Sequence, residues 1–394
     1  MLRMREKRTL YLGLSLLAAL VLALGVGATM LDSRVAAQGS AAVQAPMFEV
    51  DPLWPKPLPN HWVLGNGIGI TIDAKDNVWM IHRTSAVPAN LYKGGETCCT
   101  IAPPVLGFNQ AGDLIGSWGG PGPGYEWPAS NHGLTIDYKG NYWLAGNDDK
   151  DTQVVKFAAG GKFLLQIGKH GVHAGSNDTA NFWKATEVGV DPKANEVYVA
   201  DGYGNRRVWI GDADTGKYKR HYGAYGNKPD DTDPGDYSPD APAPKQFRNP
   251  VHCAEISTDG LVYVCDRTND RLQVFTTAGK FVKEGFVAKK TLTSGSVWDV
   301  AFSRDPQQKY LYVTDGTNHN VHILLRDTLA ELTSIGTGGQ QPGQFYGAHN
   351  LITDTRGNLY VSETFGARLQ KFVYKGLGPV TKTDQGVLWP RTSK

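Results

Sequence analysis

Three histidines occupy the same place in three near-copies of one sequence pattern. His132 opens "HGLTIDYKGNYWLAGN" (132–147), His252 opens "HCAEISTDGLVYVCDR" (252–267) and His349 opens "HNLITDTRGNLYVSET" (349–364). The chain has only ten histidines, so a shared phase in three repeats is not what scattered structural histidines would give. Three imidazole nitrogens without a thiolate are the donor set of a metal site with an open coordination position, as in catalytic zinc.

The pattern itself recurs six times. The other copies are "IGITIDAKDNVWMIHR" (68–83), "TEVGVDPKANEVYVAD" (186–201) and "WDVAFSRDPQQKYLYVTD" (298–315). Each reads as a strand, a turn and a second strand. Third strands follow in "QVVKFA", "RRVWIG", "RLQVFT", "NVHILL" and "RLQKFV", and fourth strands in stretches such as "GGKFLLQIG". Four strands per unit, recurring every 46 to 66 residues, predict an all-β, six-bladed β-propeller over residues 47–375, because a lone blade cannot bury both faces whereas a ring of blades can. An open array of β-sandwiches is the competing arrangement. The last unit lacks an outermost strand, and "MFEVDPLW" (47–54) is placed to supply it and close the ring.

Counting from the residue that ends each first strand (Asp73, Asp137, Asp191, Ser257, Ser303, Asp354), the position five earlier holds Ile68, His132, Thr186, His252, Trp298 and His349. The histidines fall in units two, four and six. Alternate blades of a six-bladed ring are related by a threefold rotation, so equivalent positions on their channel-lining strands converge at one height. The second strands run back to the same mouth, which places Arg83, Tyr203 and Arg267 around it, together with Asn147, Asp148, Asp201, Asp266, Asp315 and Glu363. Arginine there can clamp a substrate carboxylate, and a tyrosine beside a metal can act as a base. The aspartates read as turn caps paired to arginines.

These residues resemble a known family. The "YVAD…N.R…F" strands look like NHL repeats, and the chain over roughly 47–375 is similar to the peptidyl-α-hydroxyglycine α-amidating lyase propellers. The marks are "HGLTID" with "GNYW", "DGYGNRR", "VHCAEIS" with "DRTNDRLQ", "AHNLITD" and "IHR". The resemblance implies an exported lyase with zinc on His132, His252 and His349, Tyr203 as catalytic base, Arg83 holding and polarising the substrate, and Arg267 as a second site arginine. The implied reaction cleaves the N–C bond of a carbinolamide to give an amide and glyoxylate. There are departures. The family carries an Asp after its third histidine, bridging to a structural calcium; here it is Asn350, a weaker neutral ligand that leaves calcium to Asn350 and the carbonyls of Ile70 and Leu134. Gly347 replaces a methionine of the family site, Gly204 stands at one family cysteine position, and the family's two disulfides have no counterpart. The competing functional readings are a non-catalytic NHL propeller presenting a binding face at the cell envelope, and a calcium-dependent lactonase-type propeller, which would want carboxylate oxygens where this channel has imidazoles.

The remaining features set the address. Net charge is +2 over 394 residues, which gives a nucleic-acid partner no electrostatic footing; a small or peptide-derived substrate and a monomeric chain are expected. Arg3, Arg5, Lys7 and Arg8 precede an apolar run from Leu10 to Leu31 and a small-residue motif at Val35-Ala36-Ala37. Residues 1–37 are therefore either a cleaved signal peptide or a membrane anchor through residues 10–31, with 38–46 a linker and the propeller periplasmic, secreted or anchored outside the cytoplasm. Export permits disulfides: Cys253 and Cys265 flank one hairpin turn and could meet across two strands, while adjacent Cys98 and Cys99 could be bonded or free. The Pro- and Asp-rich 228–245 reads as a surface insertion, and 376–394 as a polar tail.

Overall fold

The computed structural model of the protein describes residues 43–93 and 97–390; the expected signal or anchor lies outside the described residues. Among the described residues, six four-stranded sheets each form a blade. Their innermost strands are Asn66–Ile72, Asn131–Ile136, Glu187–Asp191, Val251–Ile256, Asp299–Phe302 and Ala348–Thr353. Each inner strand packs on the next, and the last packs on the first, so the propeller is closed. Blade six takes its outermost strand from the other end of the chain, with Gln44–Asp51 beside Arg368–Pro379. Phe48 anchors this closure, its ring 5.6 Å from Tyr312 and 5.9 Å from Tyr374.

Local chemistry explains the repeat. At the first turn of a blade, Asp73 Oδ1 accepts the backbone N–H groups of Lys75 and Asn77 at 2.9 Å; Asp137 does the same for Lys139 and Asn141, and Asp354 for Arg356 and Asn358. These carboxylates stand in for backbone acceptors that a tight turn cannot offer. At the other end of the blade the "N.R" signature gains a meaning. Asp201, at the end of a second strand, accepts from Asn205 and pairs with Arg207 at 2.8 Å; Asp266 accepts from Asn269 and pairs with Arg271 at 2.6 Å. The same carboxylates accept the N–H of Trp183 and Arg248 from the preceding loops. Glu363 repeats the device with Arg368. The mouth carboxylates thus belong to the scaffold rather than to a metal.

Cys253 and Cys265 are joined across the first two strands of blade four, and Cys98 is joined to Cys99. The segment 228–245 forms no strand and is tied to blades three and four through Arg206 to the Thr232 carbonyl and Arg271 to the Pro244 carbonyl. The stretch after Gly376 is more engaged than a polar tail: its strand continues to Pro379, Val380 and Leu388 pack on the core between blades five and six, and Val50 N–H donates to Leu388 O at 2.8 Å.

One histidine outside the triad is held differently from its members. His322 presents Nδ1 to Glu331 at 2.7 Å and Nε2 to Asp315 at 3.2 Å. Burial opposes its charge, yet the two carboxylates outweigh it and push its pKa up to about 9 from 6.5. A raised folded-state pKa stabilises fully below the unfolded value and is lost as pH rises through the folded one. The stability difference between wild type and His322→Gln, read by urea unfolding, is therefore expected to be large below about pH 6.5 and to shrink as pH passes about 9; a pH-independent difference would contradict this pairing.

Candidate metal centre and active site

The three phased histidines meet. The ring centroids of His132, His252 and His349 are 5.0, 5.0 and 4.9 Å apart, a near-equilateral triangle, and their ligand nitrogens lie within 4.8 Å of one another. Each sits where the inner strand slips register against its neighbour. In blade two Asn131 pairs with Gly146 but Leu134 with Leu144; in blade four Val251 pairs with Asp266 but Ala254 with Val264; in blade six Ala348 pairs with Glu363 but Leu351 with Val361. Every triad histidine is thus half of a β-bulge, which bends the strand and re-aims its side chain. The Cys253–Cys265 link ties the bulge of His252 to the strand opposite. Gly133 completes the bulge of His132: a Cβ there would lie 2.5 Å from the Thr186 carbonyl oxygen.

Hydrogen bonds then fix the tautomers. His132 Nδ1 lies 2.9 Å from Thr186 O, His252 Nδ1 faces Trp298 O, and His349 Nδ1 faces the side-chain oxygen of Asn350. An oxygen acceptor requires that each Nδ1 carry the proton, which leaves the Nε2 lone pairs free. Nε2 of His132 and of His252 is buried without a hydrogen-bond partner among the described residues. Burial holds all three rings neutral: it drives His132 and His252 well below 6.5, assisted by neighbouring cations, and His349 down to about 3. Neutral, buried, convergent nitrogens lacking donors are what a divalent metal requires, and the cluster can hold one.

Tyr203, Arg83 and Arg267 join the triad. The Tyr203 ring is 5.2 Å from His132 and 5.9 Å from His252, and Arg267 Nη1 donates to the Tyr203 hydroxyl at 2.9 Å. Arg267 is buried, with its guanidinium 4.4 Å from the Trp298 ring centre and 5.4 Å from that of Tyr203. Trp298 is the fourth non-trivial residue at the triad's phase, and it is a cation–π shelf rather than a ligand. Arg83 Nη2 donates to Asn147 at 3.0 Å. Burial lowers the Arg83 pKa, with Tyr203 and Asp151 opposing. The Nε–H of both arginines is buried and unpartnered among the described residues, so the mouth offers two cationic donors seeking an anion.

Two substituted positions are explained by their surroundings. Gly347 has φ +75° and carries Phe365 against it; a Cβ would lie 2.5 Å from that ring. The wall there is aromatic. Asn350 gives its oxygen to His349 and its amide N–H groups to Glu187 and Asp299 at 3.3 and 3.1 Å. Its oxygen is thus already engaged, which weakens the Asn350–Ile70–Leu134 set as a calcium site. Sequence reasoning placed Asn147 at the mouth but missed the bulges, the Trp298 shelf and the acidic residues beyond Asn350. The bulges leave no composition signal, but Trp298 was visible at the shared phase.

Comparisons agree with the resemblance. The peptidyl-glycine alpha-amidating monooxygenase A of Xenopus laevis is 35% identical over 154 residues, covering 39% of this chain and 15% of that protein. A protein of Caenorhabditis elegans named as a probable peptidyl-alpha-hydroxyglycine alpha-amidating lyase is 32% identical over 197 residues, 48% of this chain and 49% of its own length. The chain thus spans about half or less of the relatives it matches. No family model matches. Among solved structures, a structural-genomics protein of unknown function from Bacteroides thetaiotaomicron aligns with a TM-score of 0.52 at 13% identity, covering 84% of this chain and 77% of that one; this likeness concerns the fold alone.

The triad's geometry gives a direct expectation. Purified protein is expected to bind one zinc or cobalt per chain. His132→Ala, His252→Ala and His349→Ala should each abolish stoichiometric loading by elemental analysis, while His322→Gln keeps it. Undiminished metal in His132→Ala would contradict the assignment.

Proposed function

We propose that this protein is a zinc-dependent lyase of amidating-lyase type, working outside the cytoplasm on an N-acyl-α-hydroxyglycine or a related small carbinolamide. The observation that carries the reading is the placement of two donor-rich arginines, Arg267 buried and Arg83 partly so, and a tyrosine around three convergent imidazoles. The relatives' names support the reaction class, and the Cys253–Cys265 link suits an oxidising compartment.

His132, His252 and His349 would hold the zinc through Nε2, and the ion would supply Lewis acidity to the substrate's hydroxyl oxygen. The chain's own residues do the rest. The free Nε–H groups of Arg83 and Arg267 bind and orient the substrate carboxylate. Arg267, fixed on Trp298, holds the Tyr203 hydroxyl in place through Nη1. Tyr203 accepts the carbinol proton; as the C–O bond becomes a carbonyl the C–N bond breaks, and the proton is returned to the departing amide nitrogen. One N-acyl-α-hydroxyglycine thus yields one primary amide and one glyoxylate, with no redox change.

Glyoxylate release from α-hydroxyhippurate by zinc-loaded protein tests this. Tyr203→Phe is expected to lower kcat by about 10²–10⁴ with metal content intact, whereas Arg267→Ala should raise KM as well. Metal-replete wild type that releases no glyoxylate would overturn the proposed reaction while leaving the metal centre standing.

A further inference from the structure

The polar groups of the mouth come from one side of it. Arg83 ends the second strand of blade one, and Tyr203 and Arg267 follow the second strands of blades three and four. Blades five and six bring aromatic rings instead. Their carboxylates at this end, Asp315 and Glu363, are buried and engaged with His322 and Arg368. The Trp298 ring stands 5.4 Å from that of His349. Tyr346 and Phe365 follow on blade six with ring centres 5.4 Å apart, and His319 lies 5.9 Å from Tyr346.

Backbone hydrogen bonds hold this wall beside the triad. Thr364 N–H donates to Gly347 O at 2.8 Å and Gly366 N–H to Tyr346 O at 2.9 Å. Gly347 N–H donates to His319 Nδ1 at 3.1 Å, and Tyr346 N–H to Glu363 at 2.7 Å. The Phe365 ring takes the space that a side chain at position 347 would need, two residues along the chain from His349.

The two rings are nevertheless open to water. Phe365 is 54% exposed and Tyr346 42%, while every other phenylalanine of the described residues is buried or half-buried. One exposed ring would need no explanation, but two in contact at the edge of a polar site form an apolar lining. A flat apolar group laid over them would recover the burial that the fold leaves unmade.

We propose that Phe365 and Tyr346 form the subsite for the acyl group of the substrate, and that this group is aromatic. An N-acyl-α-hydroxyglycine carries a carboxylate on one side of its carbinol carbon and an acyl amide on the other. Arg83 and Arg267 take the first, and the uncharged sector of blades five and six takes the second. The subsite rests on the carbinolamide reading above, and the test separates the two.

Hippurate and aceturate, the N-benzoyl and N-acetyl glycines, lack the hydroxyl and cannot react. Their affinities for the zinc-loaded full chain are read by titration calorimetry, and kcat/KM is read for the corresponding α-hydroxy compounds. Wild type is expected to favour benzoyl over acetyl about tenfold or more in both measurements. Phe365→Ala should reduce that preference about three- to tenfold with zinc content unchanged, and Phe365→Tyr, which keeps the ring, should retain it. Should Phe365→Ala fail to fold, Tyr346→Ala makes the same comparison. Equal affinity for hippurate and aceturate in wild type, or a preference unmoved by these alanine variants, would overturn the subsite even while glyoxylate is released. A benzoyl preference in binding that Phe365→Ala diminishes, with no glyoxylate from either α-hydroxy compound, would support the subsite and overturn the reaction. Binding of neither glycine and no glyoxylate would overturn both.

Discussion

A hydrogen bond from Nδ1 of each triad histidine to an oxygen of the chain is the interaction on which the site depends. It fixes the tautomer, turns the lone pair of Nε2 inward and does so three times at one height of the channel. Two of the three acceptors, Thr186 and Trp298, lie at the triad's own phase in the intervening blades. The non-histidine blades are therefore not idle spacers. Blades three and five supply the carbonyls that orient the imidazoles of the blade before them, and the third orientation falls to Asn350 within blade six.

This arrangement requires the ring to be closed and the blades to keep their order. Closure comes from Gln44–Asp51 joining blade six, and the buried Asp201–Arg207 and Asp266–Arg271 pairs fix blades three and four to their incoming loops, whose N–H groups the same carboxylates accept. Such pairs are costly to break, because removing one partner leaves a buried charge at about 3–5 kcal/mol. The carboxylates nearest the mouth are thereby committed to structure, and the site's net character is set by Arg83 and Arg267. Two arginines stand at the mouth over neutral imidazoles, and the carboxylates of Glu187, Glu255 and Asp299 cluster on the inner strands.

Much of this was legible in the sequence because a propeller repeats its geometry. The distance from the residue that ends each first strand to the channel position is constant, so the phase of His132, His252 and His349 could be read without coordinates, and the missing strand of blade six could be sought at residues 47–54. What was hidden depends on pairing between strands. The bulges at the three histidines follow from the register of the second strands, and no single strand carries that information. The destination of the mouth aspartates was legible only as a choice, and Asn205 and Asn269 decided it. The acidic cluster had a signal that went unread: Glu187 and Asp299 stand directly beside Thr186 and Trp298, charged residues next to the channel phase of the inner strands. Gly347 could be flagged as a substitution, but that Phe365 lies over it depends on a loop path.

The central claim is that three imidazoles on alternate blades form one metal site. Zinc-edge X-ray absorption on the purified, zinc-loaded protein tests it most directly. The account predicts three nitrogen scatterers at roughly 2.0–2.1 Å with imidazole multiple scattering and no sulfur. Sulfur at roughly 2.3 Å, or a shell of oxygens without imidazole features, would contradict it.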